Sequence, residues 1–204
     1  MQNNLSKDYF ELKAESYDKD ANRVSNVDNI ANAILKSISL NRTMHIMDFG
    51  SGTGLLLERV APFVKKITAV DVSESMCKQL SKKIKDLDCE VEILQMDLTM
   101  TKLDMKFDAI ISSMTMHHIK NTEAMFNDFY SMLNDNGVIA IADLDIEDGN
   151  FHIEDTGVFH FGFERKNFQE KAIVVGFKNV NITTASIDEK PHGKYLVFLL
   201  TGTK

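Results

Sequence analysis

From Val27 onward, apolar residues fall at Ile30, Ala31, Ile34, Leu35 and Ile38, the spacing of one buried helical stripe. A strand follows over about Met44 to Phe49, then a glycine turn and a helix carrying Leu55, Leu56, Leu57, Val60 and Ala61. Ile67 to Val70 form a second strand. Ser73 is placed to cap the next helix, in which Met76, Leu80 and Ile84 lie one turn apart. A third strand alternates through Glu90, Val91, Glu92 and Ile93. A fourth, Phe107 to Ile111, is the more continuous apolar run of a strand covered on both faces. A helix with Phe126, Phe129, Tyr130 and Leu133 stops before Gly137, and Val138 to Ala142 make a fifth strand.

The last third changes character. Residues 143–163 are rich in acids, glycine, phenylalanine and histidine and read as a long loop. Asn167 and Glu170 have the spacing of a capping box for a helix ending at Gly176. Two consecutive strands, Val180–Thr184 and Tyr195–Thr201, are joined by a turn at His192-Gly193. Strands alternating with helices predict an α/β chain: a seven-stranded, mostly parallel sheet with a C-terminal antiparallel hairpin and helices on both faces. Pro62 and Pro191 both fall where elements begin or end.

Composition narrows the function classes. A net charge of −7 without a dense Lys/Arg block disfavours capture of a phosphate backbone, so no nucleic-acid partner is expected. No run approaches the ~18 apolar residues of a membrane span, and the polar opening Met1 to Asp8 lacks the apolar core of a secretory signal. Cys77 and Cys89 have neither a CxxC spacing nor enough companions for a zinc site. The expectation is a cytoplasmic protein with reduced thiols and no membrane partner.

Candidate chemistry centres on Asp48-Phe49-Gly50-Ser51-Gly52-Thr53-Gly54, directly between a strand and a helix. Alternate glycines let the backbone bend tightly and approach a ligand, and are expected to leave free N–H groups at the helix start. Asp71 comes 21 residues after Gly50, at a strand end, where a carboxylate can accept ribose hydroxyls. Asp97 follows the third strand, where it can accept an adenine amino group. A dinucleotide fingerprint needs its third glycine where Leu55 stands; the pattern here is GxGxG. An NAD-type oxidoreductase is therefore the weaker alternative, and a non-catalytic cofactor-binding module a third.

The run Asp48 to Gly54, Val70-Asp71-Val72-Ser73, Met96-Asp97-Leu98 and Phe107 to Ser113 resembles the successive motifs of class I S-adenosylmethionine-dependent methyltransferases. Met114-Thr115-Met116-His117-His118-Ile119 resembles the LHH segment of the small-molecule branch similar to ubiquinone- and menaquinone-biosynthesis enzymes. The resemblance implies a Rossmann-like fold over residues 1–204 as one domain. Residues 1–40 would be a helical cap, 41–142 the cofactor-binding core, and 143–204 the acceptor loop, last helix and hairpin. It implies S-adenosyl-L-methionine as cofactor and a small-molecule methyl acceptor. Gly50, Ser51, Gly52 and Gly54 would approach the methionine part and Asp48 would help hold its amino group. Asp71 would bind the ribose. Val72, Met76, Asp97 and Leu98 would surround the adenine, Ser113 would lie near the sulfonium, and Tyr17 would fold over the cofactor. The fourth strand is not followed by an Asn/Asp-Pro-Pro-Tyr segment, which removes support for amino methylation of DNA bases or protein glutamine.

Strand ends at the carboxyl edge of such a sheet carry the site. His117 and His118 follow the fourth strand there, and His152 and His160 lie in the loop after the fifth; all four are candidate bases. Phe151, Phe159, Phe161 and Phe163 are candidate walls of an acceptor pocket under that loop. The acids Asp143, Asp145, Glu147 and Asp148 read as a solvated loop face rather than a metal site. No metal is expected.

Overall fold

The computed structural model describes residues 8–204. Seven strands form one sheet: β1 (His45–Phe49), β2 (Lys66–Asp71), β3 (Glu90–Gln95), β4 (Phe107–Ser113), β5 (Leu133–Leu144), β6 (Lys178–Lys190) and β7 (Gly193–Thr203). Their order is β3-β2-β1-β4-β5-β7-β6. The first five are parallel; β7 runs antiparallel to β5, and β6 antiparallel to β7. Because β6 is reversed twice relative to β5, its last residues arrive at the same edge as the carboxyl ends of β1, β4 and β5.

Helices cover both faces. On one, α1 (Ala21–Ser37) and α2 (Leu55–Val60) bury Ile30, Ile34, Leu57 and Val60 against inward residues of the strands such as Ile46, Ile111 and Leu199. Leu80 of α3 (Glu74–Lys83) joins that layer. On the other, α4 (Thr122–Met132) and α5 (Arg165–Val175) bury Phe126, Phe129 and Phe168 against Met47, Ile110 and Phe198. Neighbouring residues such as Phe198 and Leu199 fall in opposite layers, the period-two signature of a strand buried on both sides. None of the helices among the described residues is long and apolar enough to cross a membrane.

Local chemistry explains most boundaries. Ser73 caps α3 by accepting from Met76 N at 3.1 Å, as its position suggests. Asp20 caps α1 through the N–H groups of Asn22 and Arg23. The capping box expected for α5 does not form. Glu164 is the cap, accepting from Lys166 N and Asn167 N, because a carboxylate one residue before the helix already satisfies those donors. The closing strands are longer than the apolar pattern marks, since pairing continues through polar residues: Asp188 opposes Tyr195 and Glu189 opposes Lys194.

Candidate active site

The glycine turn is held by the end of β2. Gly50 N and Ser51 N both donate to Val70 O, at 2.8 and 3.1 Å, and Gly52 N donates to Asp71 Oδ2 at 2.7 Å. Gly54 N closes onto Ser51 O at 2.9 Å. The expected free N–H groups are thus not free at these four residues: the turn spends them on its own shape. Gly50, Gly52 and Gly54 all have positive φ, which is why glycine recurs there. Their surroundings differ. A Cβ on Gly52 would meet nothing within 4 Å among the described residues, whereas one on Gly54 would stand 2.5 Å from Leu80 Cδ1. Gly52 faces open space and Gly54 packs α2 onto α3.

Two connected cavities open at this edge. The larger, about 1120 Å³, is lined by Asp71, Val72, Met76, Asp97 and Leu98, with Gly50 and Gly52 at its inner end. The smaller, about 400 Å³, contains Asp48, Ser51, His117 and His152. Tyr17, Ser113 and His118 line both. Gly54 and His160 line neither. His160 instead places its Nε2 3.0 Å from Ile119 O and its ring against Phe163. Of the four loop phenylalanines, Phe151 lines the smaller cavity and Phe159 the larger; Phe163 is core and Phe161 lies over Gly149.

The acids differ sharply in environment. Asp71 accepts from Gly52 N and Ser73 N, yet burial still raises its pKa above the ordinary carboxylate value. Asp48 is buried with Oδ2 unpartnered; burial, reinforced by Asp71, pushes it up to about 8. Asp97 is exposed and accepts from Thr99 N and Thr99 Oγ1. In the acidic loop, Asp145 holds Arg165 through two bonds of 2.6 and 2.7 Å, and Glu147 caps three backbone N–H groups. No group of three or more metal-ligating side chains forms among the described residues.

Asp143, which closes β5, takes a role the sequence did not announce. Its Oδ1 lies 2.7 Å from His117 Nδ1, with both side chains buried, and it also accepts from Leu144 N and His117 N. His117 Nε2 lies 3.3 Å from His152 Nε2. Burial, with the neighbouring histidines adding to it, lowers His152 to about 3 and His118 to about 4. Both are neutral imidazoles at neutral pH.

An N-terminal strap crosses the edge. Asp8 accepts from the hydroxyls of Ser73 and Ser75, Asp18 pairs with Lys83 and accepts from Thr53, and Lys13 meets Glu154 at 2.6 Å. Phe10 and Tyr17, carried by the strap, face both cavities. Arg23 stacks its guanidinium 3.9 Å from the Tyr17 ring centre.

Six buried side-chain polar atoms have no hydrogen-bond partner among the described residues: Asn26 Oδ1, Asp48 Oδ2, Ser51 Oγ, Ser113 Oγ, Thr156 Oγ1 and Asp188 Oδ1. All six residues line the smaller cavity. Asn26, Thr156 and Asp188 were not legible as site residues, although Asn26 is a buried polar residue just before the apolar stripe of α1 and Asp188 points inward while Ile187 points out.

Residues 46–137 match the family model described as a methyltransferase domain. The chain is 30% identical over 187 residues to an uncharacterized methyltransferase of Schizosaccharomyces pombe, covering 84% of this chain and 64% of that one. The fold is similar to magnesium protoporphyrin IX methyltransferase from Synechocystis with bound S-adenosylmethionine (TM-score 0.66, 15% identity, 100% of this chain and 85% of that one). It is also similar to Haemonchus contortus phosphoethanolamine N-methyltransferase 2 in complex with phosphomonomethylethanolamine and S-adenosylhomocysteine (TM-score 0.70, 15% identity, 97% and 59%). The chain therefore spans less than two thirds of the length of the yeast relative and of the nematode enzyme. The glycine turn, the strand order and the match over residues 46–137 agree on a methyltransferase domain with the fold of the S-adenosylmethionine-bound methyltransferases it is similar to.

Proposed function

We propose that this protein transfers a methyl group from S-adenosylmethionine to a small polar molecule bound in the 400 Å³ cavity. The observation that carries this is that all six residues with unpartnered buried polar atoms line that cavity, Ser113 and Thr156 lining the larger one as well. Buried polar groups are nearly always paired, so such a concentration indicates a polar ligand. A volume near the lower end for ligand pockets, shared with part of the cofactor, favours a small acceptor over a macromolecule.

The residues fit the cofactor. Asp48 Oδ2, Ser51 Oγ and Ser113 Oγ offer unpaired polar atoms to an amino-acid group, and Gly52 leaves space beside them. Asp71, Val72, Met76, Asp97 and Leu98 would hold the nucleoside in the larger cavity. When bound, S-adenosylmethionine supplies a methyl group activated by its own sulfonium. The protein then has to align the acceptor, exclude water and take its proton.

His117 and His152 provide a route for that proton. With Asp143 accepting from His117 Nδ1–H, His117 Nε2 is left as an acceptor. Neutral His152 then donates Nε2–H to it, so His152 Nδ1 is the free base. As the acceptor's X–H bond breaks, the proton goes to His152 Nδ1 and the Nε2 proton passes to His117, whose cation Asp143 stabilises. The methyl group that bound S-adenosylmethionine would supply takes that proton's place on the acceptor, the S–C electron pair being left on its sulfur. His118 helps wall the junction between the cavities.

Calorimetric titration with S-adenosylmethionine, S-adenosylhomocysteine and NADH tests the cofactor assignment. Binding of the first two is expected; tight NADH binding without them overturns it and revives the oxidoreductase alternative. A methyl-transfer screen against metabolite pools then separates an enzyme from a binding module.

A further inference from the structure

The six unpartnered atoms come from two parts of the chain. Asp48, Ser51 and Ser113 belong to the cofactor-binding strands and turn. Asn26 lies on α1, Asp188 near the end of β6 and Thr156 in the loop after β5, segments that carry none of the cofactor motifs. Resting on the methyltransferase reading above, we infer that Asn26 and Asp188 form an anchoring subsite for a primary ammonium group on the methyl acceptor.

The donor and acceptor inventory carries the assignment. Asn26 Nδ2 lies 3.5 Å from Asp188 Oδ2. A carboxylate oxygen cannot donate, so the amide nitrogen faces it and Asn26 Oδ1 is turned away. Lys190 Nζ sits on the same Asp188 Oδ2 at 3.1 Å. One oxygen of Asp188 is therefore doubly served and the other has no partner among the described residues. Each residue is 4% exposed, and both line the smaller cavity. Two bare oxygen acceptors call for a group with several N–H donors. A primary ammonium has three and brings its own positive charge to the carboxylate, where a hydroxyl offers a single neutral donor. The Phe151 ring lines the same cavity and already carries Lys190 Nζ 4.9 Å from its centre, so its face accommodates positive charge.

The anchor also divides labour within the acceptor. An ammonium held by these oxygens keeps its proton and has no lone pair for the methyl carbon. The nucleophile is a second, protic group on the same small molecule, presented to His152. The acceptor class is thus an amine bearing a separate hydroxyl, phenol or thiol.

Matched probes test the subsite in the full chain. Tyramine is compared with 4-ethylphenol and with 4-(2-hydroxyethyl)phenol by calorimetry, with and without saturating S-adenosylhomocysteine. The amine is expected to bind about tenfold or more tightly than either analogue, because it alone brings a positive charge and three donors to the two oxygens. Asp188→Asn and Asn26→Leu are expected to erase that preference while leaving S-adenosylhomocysteine affinity unchanged. Equal binding of amine and analogues, no binding of the amine, or an intact preference in a folded Asp188→Asn protein overturns the inference. Failure of S-adenosylhomocysteine to bind defeats the methyltransferase reading instead, and the arm without it still tests the subsite.

Discussion

The Asp143 carboxylate meets Nδ1 of His117 at 2.7 Å, and neither side chain is open to solvent. A buried carboxylate with this partner fixes the imidazole tautomer and stabilises its cation. His117→Gln is expected to lower methyl transfer to a protic acceptor by about 10²–10⁴-fold, the span of general-base contributions. Cofactor affinity should be unchanged. His152→Gln should show the same split with a smaller structural effect, because His152 is only partly buried. Single-turnover rates alongside titrations separate the two quantities; full rates in both variants would exclude the relay.

If Asp48 holds the cofactor's amino group as proposed, cofactor binding is coupled to protons. At neutral pH its carboxyl is mostly protonated in the free protein, since its pKa stands at about 8. An ammonium brought against Oδ2 favours the carboxylate, so cofactor binding at pH 7 should release close to one proton. Calorimetry in buffers of different ionisation enthalpy reads this number directly. The free protein carries the opposite dependence. Its native state binds a proton that the unfolded chain gives up above about pH 4, so Asp48 lowers stability as pH rises from there towards 8. Asp48→Asn should raise the melting temperature more at pH 8 than at pH 5.

His118 and His152 act in the other direction on the acid side. Their folded pKa values, about 4 and about 3, lie below the unfolded value near 6.5. Their contribution is complete above pH 6.5 and is lost as pH falls towards 3, because the unfolded chain then binds protons that the native site refuses. Replacing both by Gln should flatten the acid limb of a stability–pH curve between those limits.

Asp71 is both a cofactor ligand in the proposed function and a fastening for the glycine turn. Asp71→Ala removes two backbone-to-carboxylate hydrogen bonds. It should cost about 1.5–3 kcal/mol for each such bond to a charged group, felt in folding as well as in binding. Asp71→Asn, with one acceptor oxygen left, should lose less stability. Denaturant midpoints and titrations on the same samples distinguish the two losses.

The glycines of the turn should respond differently to substitution. Gly52→Val places a branched side chain at positive φ in the open space beside the cofactor cradle, and should abolish cofactor binding. Gly54→Ala drives a methyl group into Leu80 and should cost about 1–3 kcal/mol of stability by overpacking, plus the strain of its φ. Thermal unfolding and cofactor titration of both variants check the contrast.

The parts of this molecule built from periodic burial were legible in its sequence. Apolar spacing marks the α1 stripe and the central strands, and Ser73 and the glycine turn punctuate them where expected. Features depending on contacts between distant segments were not. Asp143 looked like one acid among many, since its partner His117 lies 26 residues away. Asp188 sits 162 residues from Asn26, and its inward orientation places the apolar Ile187 outside, opposite to what hydrophobic alternation favours. Glu164 caps α5 although the capping-box spacing of Asn167 and Glu170 lies three residues further on, because a glutamate cap carries no such paired pattern.

The position of β7 between β5 and β6 bears on how the protein is made. β6 emerges from the ribosome before the strand it pairs with, and β5 likewise waits for its second neighbour. Until residues 193–203 are free to insert, both strands present open edges that invite pairing with other chains. The cofactor turn and β1 to β4 can assemble during synthesis, but the Asp188 wall of the smaller cavity is set only when β7 docks. Nascent chains stalled before β7 should therefore be prone to aggregation and in need of a holding chaperone, even if they already recognise the cofactor.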